Sequence, residues 1–387
     1  MTTRRSLLRA AGVGGLLLAG GVLWRAGRQG VFGRTGDPAF DPWRAWPPHA
    51  GDDPLSLVTA ASLAASPHNT QPWRFRIAQS RIDLHSDLER NLGAFDPFRR
   101  EMLQGLGCAL ENLVLAASVA GFGTVAALLP DPDDSTLIAR LGLLPGHAEA
   151  MPLGALLASR HTNRNAYRRN RPVEPQAIAT LQALESTADV RLVLFAADTP
   201  RARAYVDGTN LATQRIVADH EMYADSERWF RHSWQDIRRH RDGINLLNVG
   251  LSPAMRELAM LAPALSQESS GSAWVRMTRE THLATAPMFG AILVRDLYDR
   301  RQAVLAGRLW QRTHLEGTRL GLAMQPLNQL MEWIDRDRQL KRPLELEEAA
   351  RAVAGDPGWY PTFGFRLGYA DEPAGPSVRR DVREIVS

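Results

Sequence analysis

The stretch Ser66-Pro67-His68-Asn69-Thr70-Gln71-Pro72-Trp73 is the place from which this chain is best read. Two prolines fix φ on either side of a cluster of amide, hydroxyl and imidazole groups. Such a loop can present Ser66 and Asn69 as hydrogen-bond partners at little ordering cost. Its flanks give it a setting. Leu55, Val58 and Ala61 share one face and predict a helix over Pro54–Ala65. Trp73–Ile77 alternates as a strand does, and Ile82–His85 alternates after a turn near Ala78–Arg81, which predicts a hairpin.

Further out, Leu103, Leu106, Leu110, Val114 and Ala117 predict a long helix over Met102–Gly123. A second set of elements then follows in similar order: a helix at Pro175–Ser186, strands at Val190–Ala196 and Met288–Arg295, a long helix at Val304–Ala323 and a strand at Thr362–Ala370. Laid over each other at an offset of 200, the long helices match Gly107, Leu115 and Gly121 with Gly307, Leu315 and Gly321. The expectation from element order is a duplicated chain of helices and strands. Its first half is 54–150 and its second 151–387, with a linker at 37–53. Asp219–Ser272 has no counterpart in the first half and reads either as an insertion covering a cleft or as a surface excursion.

The 387 residues are 44% hydrophobic and 23% charged, as in a soluble globular protein. Arg4, Arg5, Arg9, Arg25, Arg28 and Arg34 give residues 1–36 a charge of +6 within a total of +4, so the remainder is slightly acidic. That excludes a phosphate footprint spread over the folded part, and no nucleic-acid partner is expected. One cysteine, Cys108, rules out an internal disulfide or a multi-cysteine metal site, and no histidine has H-E-x-x-H spacing, so no metal is expected. Gly121-Phe122-Gly123-Thr124-Val125-Ala126 matches the dinucleotide string G-x-G-x-x-A. It follows a helix instead of opening one, and reads as a helix-terminating glycine pair. Cys108, inside an apolar helix, reads as a small core residue.

Arg4-Arg5-Ser6-Leu7-Leu8 precedes an apolar run, Ala10–Trp24, which is short for a bilayer span of about 20 residues. The pattern resembles a twin-arginine export signal; a chance arginine pair before a membrane anchor is the alternative. The expectation is export by the twin-arginine machinery to the periplasm, or tethering on the outer face of the cytoplasmic membrane, with membrane contact through this segment only.

Three further strings carry chemistry. Arg160-His161-Thr162-Asn163-Arg164 can bring two guanidinium groups and a hydroxyl onto one phosphate, or form a solvated basic turn. Arg366-Leu367-Gly368-Tyr369 ends a strand and is followed by Ser377-Val378-Arg379-Arg380. Gln325-Pro326-Leu327-Asn328-Gln329 follows the second long helix, and Arg241-Asp242-Gly243 is a further candidate.

Together these strings resemble the nitroreductase family of flavin mononucleotide (FMN) enzymes, over about residues 54–387. Ser66–Trp73 resembles its P-S-x-x-N-x-Q-P-W loop, and Arg160-x-Thr162-x-Arg164 its phosphate signature. Pro326-Leu327-Asn328 matches the loop near the flavin N5, and Arg379-Arg380 the phosphate-binding tail. The split of motifs between the halves is similar to the Acg subgroup, in which one fused chain replaces a homodimer. The resemblance implies a nitroreductase-like α+β fold, with mixed, mostly antiparallel sheets flanked by helices. It also implies an internal pseudo-dimer in a monomeric chain and one complete flavin site. FMN would be held by Ser66, Pro67, His68, Asn69, Gln71, Arg160, His161, Thr162, Arg164, Asp242, Gly243, Pro326, Leu327, Asn328, Arg379 and Arg380. No residue is nominated as acid, base or nucleophile, because the flavin carries the chemistry. The implied activity is reduction of a small nitroaromatic or quinone-like acceptor with electrons from NAD(P)H; a flavin-sequestering protein with little turnover is the alternative. Lys341 is the sole lysine, so any ring contact the family assigns to lysine must come from arginine or be absent.

Overall fold

The computed structural model describes residues 36–47, 53–146, 151–184, 187–262 and 266–387. The expected export leader, 1–36, lies outside the described residues apart from Gly36. Two four-stranded antiparallel sheets form, one from each half. The first joins β1 (Trp73–Ala78), β2 (Arg81–Ser86), β3 (Phe122–Leu128) and β4 (Leu137–Pro145) in the spatial order β1-β2-β4-β3. The second joins β5 (Val190–Ala196), β6 (Met288–Val294), β7 (Ala323–Pro326) and β8 (Tyr360–Gly368) in the order β5-β6-β8-β7. The two orders are the same, as a duplication requires. The architecture is α+β in two related halves.

Each half contains one long helix, α2 (Arg100–Val119) in the first and α9 (Arg300–Arg319) in the second, and these pack on each other at the centre. The shorter helices in chain order are α1 (Pro54–Ser62), α3 (Pro175–Gln182), α4 (Pro200–Ala218), α5 (His220–Glu227), α6 (Trp234–His240), α7 (Pro253–Leu261), α8 (Gln267–Met277), α10 (Gln329–Gln339) and α11 (Glu347–Ala354). Local chemistry starts the principal ones. Asp53 accepts from the Leu55 amide ahead of Pro54, Asp96 accepts from the Glu101 and Met102 amides, and Asp299 accepts from the Gln302 amide. α2 is apolar and long enough to cross a bilayer, but it is buried core: almost its whole surface meets protein.

Both long helices stop earlier than their periodicity predicts, at Val119 and Arg319, and Phe122–Leu128 and Ala323–Pro326 are strands. The reason is the same in each half. Gly121 and Gly321 turn the chain at φ +92° and +71°, where a side chain would be strained. Gly121 is thus the helix terminator, whereas Gly123 lies inside β3.

The linker reading of 37–53 fails over its described part. Asp37 starts a short turn, Asp41–Arg44 is one helical turn, and Trp43 and Trp46 are buried in the main core. Their indole N–H groups donate to the Ser377 and Gly154 carbonyls. Burial of two tryptophans outweighs the loop-like composition around them. The C-terminus also crosses over: Phe75 donates to the Ile385 carbonyl at 2.7 Å, and Ser387 donates back to the Phe75 carbonyl, so the tail extends the sheet of the first half.

Candidate functional site

A cavity of about 950 Å³ opens between the halves. The first half contributes Ser66, Pro67, His68 and Asn69, with Gln104, Gly105 and Cys108 of α2. The second contributes Arg160, His161, Thr162 and Arg164, then Pro326, Asn328 and Arg379. Segments predicted to share a site from separate parts of the sequence therefore meet. A second cavity, lined by Leu297, Met331 and Trp359, measures about 20 Å³, room for a water but not for a cofactor.

The Ser66–Gln71 loop is strained as well as rigid. His68, Asn69 and Gln71 sit at φ +46°, +54° and +51°, a left-handed region that costs a non-glycine residue energy and clusters at functional sites. Side-chain bonds hold it there. Ser66 Oγ accepts from the Gln71 amide at 3.1 Å, and Asn69 Nδ2 donates to the Val378 carbonyl at 3.1 Å. Asn69 Oδ1 accepts from Arg379 at 2.7 Å, and the Gly243 amide donates to the Asn69 carbonyl at 3.2 Å. The loop, the C-terminal tail and the Arg241–Gly243 turn are thereby fixed relative to one another. His68 bonds Ser226 at 2.9 Å, and burial with the nearby Arg164 charge pushes its imidazole down to about 4.

Two guanidinium groups, Arg160 and Arg379, stand together on the cavity wall, and a third, Arg164, lines it beside Arg366. Arg160 donates to the Leu63 carbonyl and meets His314, Arg164 donates to the Asn248 carbonyl, and Arg379 donates to the Leu63, Ala64 and Val378 carbonyls. Among the described residues none of the three is paired with a carboxylate. Arg160 and Arg379 are almost wholly buried, and the Nε–H of each has no acceptor. Burial pulls Arg160 and Arg164 down to about 10 and Arg379 well below its ordinary value. Arginine stays charged regardless, so this is a cost that an anion in the cavity would remove. Burial and the Arg160 and Arg379 charges hold His161 near 3, so it adds no further positive charge. A phosphate fits the unpaired Nε–H donors of Arg160 and Arg379; Thr162 and Asn69 also line the cavity, Asn69 beside Arg379.

Four of the expected site residues are not on the cavity. Gln71 spends its side chain between the Arg241 carbonyl at 2.8 Å and the Arg380 amide at 2.9 Å. Arg380 in turn donates to the Gln71 and Glu384 carbonyls. Asp242 is consumed by ion pairs with Arg90 and Arg231, and Leu327 is packed in the second core beneath Tyr205. These four brace the site. Gly243 does line the cavity, where a Cβ would strike the Trp229 carbonyl.

The sequence reading missed other residues at the site. Trp43 packs behind two of the expected lining residues, over Arg379 at 4.6 Å and edge-on to His161 at 4.7 Å, without lining the cavity itself. Gln325 lines the cavity, held by Arg366, itself fully buried against Tyr167. The unmatched segment supplies much of the cover, including Ser226, Phe230, Met255 and Met260. Cys108 reaches the cavity wall but donates to the Gly307 carbonyl at 3.2 Å, and burial pushes its thiol up to about 12. It is an inert core thiol.

No family model matches the chain. "Putative NAD(P)H nitroreductase Rv3131" of Mycobacterium tuberculosis strain H37Rv is 27% identical over 86% of this chain and 90% of its own length. "Putative NAD(P)H nitroreductase acg" of the same strain is 34% identical over 23% of this chain and 27% of its own. Among solved structures, the FMN-dependent nitroreductase NfnB of Mycobacterium smegmatis in complex with NADPH aligns with 58% of this chain and 90% of its own, at 16% identity and a TM-score of 0.35. A BluB-like flavoprotein of Clostridium difficile 630 aligns with 62% of this chain and 99% of its own, at 14% identity and a TM-score of 0.36. Over most of its length, then, this chain is similar in sequence to a mycobacterial protein named as an NAD(P)H nitroreductase.

Proposed function

We propose that this chain is an FMN-dependent oxidoreductase of the nitroreductase family, taking electrons from NAD(P)H and passing them to a nitroaromatic or quinone-like acceptor. The observation that carries the reading is the pair of buried guanidinium groups, Arg160 and Arg379, set on the wall of a cavity between the halves with no carboxylate among the described residues against them. Likeness to a relative named as an NAD(P)H nitroreductase supports the same reading. When bound, the flavin supplies hydride transfer, which no side chain here can perform. Arg160, Arg164 and Arg379 would hold its phosphate, Thr162 and Asn69 its polar chain, and the Pro326–Asn328 loop its ring. The protein's own contribution is to orient both reactants and to exclude water with Phe230, Trp274 and Met260.

A second reading is favoured by one feature. Much of the cavity's cover comes from 219–272, and such a lid could bind flavin and keep acceptors out. One experiment separates the two: add NADPH to purified protein loaded with FMN, first without and then with a nitroaromatic acceptor. Bleaching of the flavin colour followed by its return supports turnover. Flavin that is bound but never bleached supports sequestration, and protein that takes up no FMN contradicts both. The leader that begins at Arg4-Arg5 is proposed as a twin-arginine export signal, placing the folded chain outside the cytoplasm as a monomer.

A further inference from the structure

Four carboxyls line the cavity. Glu227 pairs with His232 and Glu280 with Arg279; the other two come from different halves, Glu101 in the first turn of α2 and Glu332 in the first turn of α10. Glu101 and Cys108 both line the cavity and lie seven residues apart on α2, about 10 Å along the helix axis. Cys108 is near Arg160, so the Glu101–Glu332 pair stands off from that guanidinium by about the length of a polar chain between a phosphate and a ring.

The surroundings of this pair leave it short of positive charge. Asp96, Glu101, Glu332 and Asp335 are all buried together, and Arg100 is the guanidinium among them. Arg100 is already committed. It donates to Asp335 at 2.8 Å and to the Thr362 carbonyl, and its nearest approach to Glu101 is 3.9 Å. Asp96 accepts two α2 amides, and Asp335 also accepts from Tyr298 at 2.7 Å. No hydrogen-bond donor among the described residues is placed on Glu101 or Glu332. Burial raises both carboxyls, and the neighbouring Glu101 raises Glu332 further, because two buried carboxylates side by side cannot both stay charged. Glu101 Oε1 and Glu332 Oε2 are buried without a hydrogen-bond partner. Burial of charge without a counter-ion is costly, so the pair keeps its proton at neutral pH. Tyr205, facing Glu332 from α4, is pushed upward by burial and the same carboxyl, and offers no positive charge. Among the described residues no such group is placed to hold a metal ion.

We propose that the Glu101–Glu332 pair is the proton donor to the acceptor reduced in this cavity, an inference that rests on the oxidoreductase reading above. A quinone-like acceptor needs two electrons and two hydrogens. One hydrogen arrives with the electron pair as hydride from the reduced cofactor. The pair supplies the other as a proton: the carboxyl O–H breaks, an O–H forms on the acceptor oxygen, and a hydroquinone leaves. The carboxylate that remains takes a proton back from water before the next turnover.

The test compares two acceptors in FMN-loaded full-length protein reduced without oxygen: a benzoquinone, which takes up protons, and ferricyanide, which takes electrons alone. Wild type, Glu332→Gln and Glu101→Gln are each mixed with both, from acid to alkaline pH. The expected result is that the quinone-to-ferricyanide rate ratio falls about 100-fold in both variants, the scale of a lost general acid. In wild type this ratio should also fall as pH rises through the pair's titration. A second measurement does not use the cofactor: the infrared spectrum of the apoprotein at neutral pH should show a protonated-carboxyl component that Glu332→Gln lacks. An unchanged ratio in both variants overturns the proposal, as does the absence of that component in wild type. Wild type that reduces neither acceptor overturns the oxidoreductase reading and the proposal together.

Discussion

Arg160 and Arg379 both donate to a single acceptor, the Leu63 carbonyl oxygen, each at 3.1 Å. Leu63 closes α1, just ahead of the Ser66–Trp73 loop, so one peptide group of the first half orients two cations brought by the second. A carbonyl can accept two hydrogen bonds but neutralises no charge. An anion in the cavity would supply the negative charge that this carbonyl cannot.

Arg160→Ala and Arg379→Ala should therefore each weaken FMN binding by about 2–5 kcal/mol, the cost of breaking a buried charge pair. Fluorescence titration with FMN checks this. Riboflavin, which lacks the phosphate, should bind wild type and both variants alike. Full FMN affinity in both variants would remove phosphate capture from these residues.

Asn69 separates a conformational role from a hydrogen-bonding one. Asn69→Gly suits the +54° φ but removes the Asn69 acceptor from Arg379, leaving it Ser377 and backbone carbonyls, whereas Asn69→Ala loses the same bond and adds left-handed strain of about 1–2 kcal/mol. FMN affinity should fall by a similar factor in both, and denaturant unfolding should find the alanine variant the less stable.

The halves meet where α2 and α9 cross, and Gly307 makes that crossing possible. A Cβ there would overlap the Gln104 carbonyl, and reciprocally one on Gly107 would overlap the Val304 carbonyl. Gly307→Ala should cost about 1–3 kcal/mol of stability by overpacking. Gly375→Ala, with nothing near its Cβ, should stay within about 0.5 kcal/mol of wild type. Chemical denaturation of the two variants side by side reads the difference.

These examples show what the sequence discloses. Gly107 with Gly307 and Gly121 with Gly321 are visible as repeats because a close helix crossing and a positive φ each demand a particular residue. The Ser66–Asn69 and Arg160–Arg164 strings are visible because prolines and paired guanidinium groups carry their chemistry locally. Adjacency misleads at Asp242 and Arg380. Nothing local says that Gly243 turns inward while Asp242 turns to Arg90 and Arg231, or that Arg379 faces the cavity while Arg380 is spent on backbone carbonyls. Trp43 and Trp46 were hidden by the glycine and proline around them. Glu101 and Glu332 meet only through tertiary packing of two helices, and no spacing rule could pair them.

His161 makes stability depend on pH. Its imidazole is held near 3 when folded and titrates near 6.5 when unfolded, so below about 6.5 the unfolded chain binds a proton that the folded one refuses. Its contribution is present above 6.5 and is lost as pH falls toward 3, at about 1.4 kcal/mol per pH unit. The Glu101–Glu332 pair, raised by burial, acts with the opposite sign and loses its contribution as pH rises. In apoprotein, denaturant unfolding between pH 5 and 6 should show stability rising less steeply with pH in His161→Gln than in wild type, and more steeply in Glu332→Gln. A wild-type slope in His161→Gln would mean that this imidazole titrates freely.

The account stands most directly on one cofactor bound across the internal interface of a single chain. Titrating the full-length protein with FMN, while sedimentation velocity reports its oligomeric state, measures both parts together. The expected result is one equivalent of FMN per chain with the protein monomeric throughout. Two equivalents per chain, or binding that appears only as chains associate, would contradict it.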